Sequence, residues 1–142
     1  ANALLTSLGM RVDFVATDWG TVGQRRASKA PPGQGGWHIF HTWHAGADCT
    51  NPAAYLALRT HGDGAWFGWP SDELHERLRN EWVQAPDLET RQKVTQRLQE
   101  NAWNFVPHVY YGQWRTPIAH RRNVTGWINS PGVVPFWNVR KT

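Results

Sequence analysis

The stretch SDELHERLRNEWVQAPDLETRQKVTQRLQENAWNFVP, residues 71 to 107, constrains the chain most. Leu74, Leu78 and Trp82 recur every four residues, the spacing that places side chains on one helical face. Ser71 is positioned to cap this helix, which is expected to run to about Ala85, with Glu73 and Arg77 able to pair across one turn. Pro86 has no N–H to continue the ladder. Asp87 can then cap a second helix reaching about Phe105, with Val94, Leu98, Ala102 and Phe105 on one face, before Pro107 stops it. Both apolar faces must be covered, so the rest of the fold is built around them.

The flanking segments read as shorter elements. NALLTSL, residues 2 to 8, is helical, and Gly9 sits where a helix ends in the left-handed conformation. Two turns without a cap are marginal alone, so this reads as the tail of a longer helix and the chain as a fragment. RVDFVA, residues 11 to 16, alternates polar and apolar residues as a strand does. Asp18 can cap a helix over Trp19 to Ser28, and APPGQGG is a loop. Trp37 to Trp43 has strand composition, a short helix is expected over Ala53 to Arg59, and HGDGAWFGWP is a loop. Further strands are expected at His108 to Arg115, Val124 to Ile128 and Pro135 to Val139. Strands alternating with helices indicate an α/β sheet.

Composition narrows the functional classes. Hydrophobic residues make up 40% of the 142 residues, enough to build one core. No apolar run reaches membrane-spanning length, and ANALLTSLGM has neither the basic region nor the apolar core of a signal peptide. The formal charge is +4, but the basic residues fall in scattered pairs such as Arg25-Arg26 and Arg121-Arg122, not in a nucleic-acid-binding patch. Ten tryptophans are expected mainly in packing, with a few lining a pocket.

The densest group of reactive side chains is GWHIFHTWHAGADCTNP, residues 36 to 52. On a strand, His38 and His41 point to opposite faces and cannot hold one ion. No HExxH or paired CxxC spacing is present, so no metal site is assigned. Cys49, the only cysteine, lies in no recognisable nucleophile motif. Asp48 has two readings from the residues. It follows a strand, beside Trp43 and His44, where a carboxylate with an aromatic wall suits a cationic ligand group. It could equally cap the turn or helix that follows.

Several segments together resemble the C-terminal part of extracellular solute-binding proteins of family 5, the peptide- and nickel-type binding components of ABC importers. They are LLTSLGMRVDF, TWHAGADCTNP, the paired helices from FGWPSDEL to RLQE, VPHVYYGQWRTPIAHRRNVTGW and PFWNVRK, in that order. The resemblance implies a partial lobe of a type II periplasmic-binding-protein-like α/β fold. Residues 1 to 142 would form a single partial domain of the second lobe, with the last fifteen or so crossing back toward a first lobe. It implies binding of a peptide or similar polar solute outside the inner membrane, delivery to permease subunits, and no catalysis or cofactor. The location implied is periplasmic or extracellular, peripheral to the membrane through the transporter.

By the same resemblance, Asp48 would take a ligand amino group and Trp43 would pack on the ligand, with His44 beside them. His38 and His41 then belong to packing. Peptide-binding members often carry Gly-Trp three residues before that Asp, whereas Trp43 precedes Asp48 by five. A metal chelate or sugar-derived solute is the alternative within the family. A hydrolase using His41, His44, Asp48 and Cys49 is the alternative outside it. Exposed apolar faces of a partial lobe imply self-association.

Overall fold

The computed structural model describes residues 1 to 130 and 134 to 142. The chain divides into two compact units, Ala1–Thr42 and Trp43–Thr142. Regular structure is mostly helical, with one two-stranded sheet.

The first unit contains α1 (Asn2–Ser7) and α2 (Trp19–Arg25). α1 ends as its sequence requires. Gly9 takes φ +84°, and the Met10 N–H donates to the Leu5 carbonyl at 3.1 Å, closing a Schellman turn. Asp18 caps α2, accepting from the Thr21 N–H at 3.0 Å and the Thr21 hydroxyl at 2.6 Å. The helix stops at Arg25, short of the expected Ser28. The loop after it folds back, with the Trp37 indole N–H donating to the Arg26 carbonyl at 3.2 Å. The Trp37 ring meets Phe40 edge-on at 4.7 Å.

The second unit is organised by α3 (Glu73–Gln84) and α4 (Leu88–Phe105). The cap of α3 is Asp72, one residue after the expected Ser71, and it accepts from the His75 N–H at 2.6 Å. Asp87 caps α4, accepting from the Thr90 N–H at 2.7 Å. Leu78, Val94 and Leu98 are buried together, with Trp82 packed against them. Leu74 is 41% exposed, so the apolar stripe of α3 is narrower than its spacing predicts. The ion pair along α3 joins Glu76 to Arg79 at 2.7 Å, and Arg97 reaches across from α4 to Glu81 at 2.7 Å. α4 ends with Val106 at φ +50° before Pro107. A β-branched residue in that region is strained, and the turn re-aims the chain that carries His108.

Strands are where structure and sequence part. β1 (Val124–Thr125) and β2 (Arg140–Lys141) pair antiparallel, with Val124 opposite Lys141. Gly126 makes the close approach possible, because a Cβ there would stand 2.0 Å from the Asn138 carbonyl oxygen. The second strand lies C-terminal to the expected Pro135 to Val139. The expected strands at 11 to 16, 37 to 43 and 108 to 115 form no ladder, and the α/β sheet reduces to this one pair among the described residues. The reason is physical. A strand satisfies its N–H and C=O groups only through a neighbour, and residues 11 to 16 and 109 to 120 run nearly all exposed. The tryptophans divide between partly buried packing, as at Trp37 and Trp82, and exposure. None described is fully buried, and Trp103, Trp114 and Trp137 are largely exposed.

Candidate functional site, a polar turn on an aromatic cluster

Residues 52 to 60 are tied to α3 by one network. Arg79 donates through Nε to the Pro52 carbonyl at 3.0 Å and through Nη2 to the Ala53 carbonyl at 3.2 Å. Its Nη1 meets Glu76, whose Oε1 accepts from the buried Thr60 N–H at 2.6 Å. Burial works to raise the Glu76 pKa, but hydrogen bonds from Thr60 and Arg79 outweigh it and hold the carboxyl below its ordinary value. Glu76 is therefore ionised at neutral pH and acts as a fixed anchor.

N-terminal to that anchor, Gly46–Cys49 forms a 3-10 turn, closed by the Asp48 N–H on the Ala45 carbonyl at 2.9 Å. The Asp48 side chain is exposed, and no hydrogen bond or ion pair holds its carboxylate among the described residues. The alternative role of cap is filled by Asn51, whose Oδ1 accepts from the Ala54 N–H at 2.8 Å. The helix expected over Ala53 to Arg59 shrinks to a turn and a 3-10 segment, Leu56–Leu58.

Trp43 is 64% exposed and meets Trp114 edge-on at 6.4 Å. His44 is half-buried, with Tyr55 at 5.0 Å and Trp66 at 5.1 Å. So His44 is a packing residue as much as a rim residue. His38 and His41 lie on irregular chain, where the period of two no longer fixes their directions.

Sequence reasoning missed what lies beneath the turn. Tyr55 is buried at 4% exposure and stacks on Tyr110 at 6.5 Å. His108 stands edge-on to both, at 5.9 Å from Tyr55 and 4.5 Å from Tyr110. Burial, then the neighbouring Tyr110 hydroxyl, push the Tyr55 hydroxyl far above its ordinary pKa, so it remains neutral. The Cys49 thiol donates within its own turn, to the Ala45 carbonyl at 3.6 Å. Burial raises the Cys49 thiol as well, with the Asp48 charge adding to the effect. A raised thiol is the opposite of an activated nucleophile. The one available signal was the aromatic run His108-Val109-Tyr110-Tyr111, but nothing local links it to residue 44 or 55.

No group of three or more His, Cys, Asp or Glu side chains among the described residues could hold a metal ion. No helix among them is long and apolar enough to cross a membrane.

No family model matches the chain. Over 140 residues, 98% of its length, it is 33% identical to a probable peptide ABC transporter periplasmic-binding protein, y4tO, of Sinorhizobium fredii strain NBRC 101917 / NGR234. The match covers 26% of that protein, so the chain spans about a quarter of the length of this curated relative.

Proposed function

We propose that the chain is part of the binding component of an ABC importer, contributing a ligand-facing turn to a site for a peptide or similar polar solute. The observation that carries this reading is the 33% identity to a peptide-transporter binding protein along 98% of the chain. In this reading residues 1 to 142 belong to one partial lobe of a periplasmic-binding-protein fold. The protein works in the periplasm or outside the cell and hands its solute to permease subunits, without chemistry of its own.

Asp48 is the proposed partner of a ligand amino group, Trp43 the surface it packs on, and His44 the joint between that rim and the buried cluster. The exposed carboxylate on this turn supports the assignment. A carboxylate free of internal partners can accept a cation without first breaking a bond. The test is titration of a free-amino peptide against its N-acetylated form with the longer protein that this reading implies. The free amine should bind at least tenfold tighter, and equal affinities would remove the amino-group assignment.

Two further expectations follow. Elemental analysis after purification without chelator should find well under one equivalent of zinc per chain. Stoichiometric zinc lost in His41→Ala and His44→Ala would replace the solute reading with a metal site. The 142-residue chain should also self-associate, because Leu4 on the first helix, Leu8 just after it, and Phe136 and Trp137 beside the sheet edge are more than 60% exposed. Light scattering should show mass rising with concentration, and a constant monomer mass over a wide range would contradict this.

A further inference from the structure

His75 is completely buried, at 0% exposure, yet its ring is only half satisfied. Its Nδ1 lies 3.2 Å from the Asn101 Nδ2, and the same Nδ2 lies 3.2 Å from the Asp72 carboxylate. A carboxylate only accepts, so Asp72 fixes the amide with its NH2 group inward. That NH2 donates one hydrogen to Asp72 and the other to His75 Nδ1. The His75 proton therefore sits on Nε2, a buried atom with no hydrogen-bond partner among the described residues. The Nδ1 of His108 is likewise buried and without such a partner.

We propose that His75 and His108 form an acid-released latch: while both rings are neutral, His75 holds α3 to α4 at Asn101 and His108 closes the cluster with Tyr55 and Tyr110, and both contacts open when the rings take up protons.

The geometry makes protonation disruptive at His75. A second proton must enter at Nδ1, where it meets the Asn101 N–H. Flipping the amide would admit the proton but turn its oxygen onto the Asp72 carboxylate. Either way the contact between α3 and α4 at Asn101 breaks, and Asp72 is also the cap of α3.

The surrounding charges are as follows. From α3, Asp72 and Glu76 favour a charged His75, while Arg79 opposes it, and burial is the largest effect and lowers the pKa. From α4 the facing group is the neutral Asn101. For His108, burial leads again, followed by repulsion from His44 and from His75. The facing hydroxyls of Tyr55 and Tyr110 stay neutral, both held above their ordinary pKa by burial.

Both histidines are thus depressed in the folded chain. The sign follows directly. The unfolded chain takes up these two protons as the pH falls through about 6.5, and the folded chain only at lower pH. Stability is fully present above that pH and falls as the pH drops below it. Two protons change the unfolding constant by up to about a hundredfold per pH unit. The latch is independent of what Asp48 binds.

The test is urea unfolding of the 142-residue chain, followed by far-UV ellipticity between pH 7.5 and 5. The logarithm of the unfolding constant should gain a slope approaching two protons per pH unit in the wild type. His108→Gln should reduce the slope to about one. A slope near zero in the wild type, or no change in the variant, would overturn the latch. If the variant does not fold, wild-type imidazole and tyrosine NMR signals decide. The rings of His75 and His108 should remain neutral until the Tyr55 and Tyr110 signals change in the same step. Protonation of either histidine with the tyrosine signals unmoved would also overturn it.

Discussion

Leu78→Ala is expected to cost the second unit about 2–5 kcal/mol, the range for a leucine truncated in a packed core. Leu78 is 1% exposed, and its buried cluster contains only Val94 and Leu98 besides, with Trp82 alongside. A core this small has few neighbours to collapse into the space, so the cavity is retained rather than filled. The matched control is Leu88→Ala on the first turn of α4, where the side chain is 70% exposed. That change should fall within about 0.5 kcal/mol of wild type. Urea unfolding of both variants tests the pair. Equal losses would mean that the helix pair is not the stability centre of its unit.

Asp48→Asn is expected to weaken solute binding by about thirtyfold or more in the longer protein, with little change in stability. Removing one partner of a desolvated charge pair costs roughly 2–5 kcal/mol, and 1.4 kcal/mol is about tenfold in affinity. The substitution keeps the side chain's shape and deletes only its charge. The fold should tolerate it, because the neighbouring turn is capped by Asn51 rather than Asp48. Calorimetric titration of wild type and variant with one solute makes the comparison. Equal affinities would take Asp48 out of the site and leave Trp43 as the candidate contact.

The helices were legible because their signals are local. Asp18 and Asp87 announce α2 and α4 through bonds to residues three positions later. The buried Leu78, Val94 and Leu98 all lie on faces that the helical period marks. Even there, Asp72 displaced Ser71 as the cap of α3, because two adjacent residues could each supply an oxygen and the sequence does not rank them. The strands were less legible. RVDFVA alternates correctly, but its ladder requires a partner that no pattern within it specifies.

The candidate site shows the same division. Asp48, Trp43 and His44 were visible as a short polar and aromatic cluster. Tyr55, His75 and His108 were not, since 20 residues separate the first two and 33 the last two. What marks them is burial, a property of the folded chain. The tryptophans misled for a related reason. A large apolar ring favours burial, but it needs a surface to be buried against, and Trp103 and Trp137 have none among the described residues at 82% and 90% exposure.

The central claim is that this chain belongs to a protein that carries a polar solute unchanged, with Asp48 facing the solute's cationic group. The most direct measurement is mass spectrometry of what the longer protein holds when purified without refolding, before and after incubation with a mixed peptide pool. The account predicts intact peptides or similar polar solutes bearing a free amino group, released on denaturation and recovered with unaltered mass. Solutes lacking any cationic group, or pool peptides returned cleaved, would contradict it.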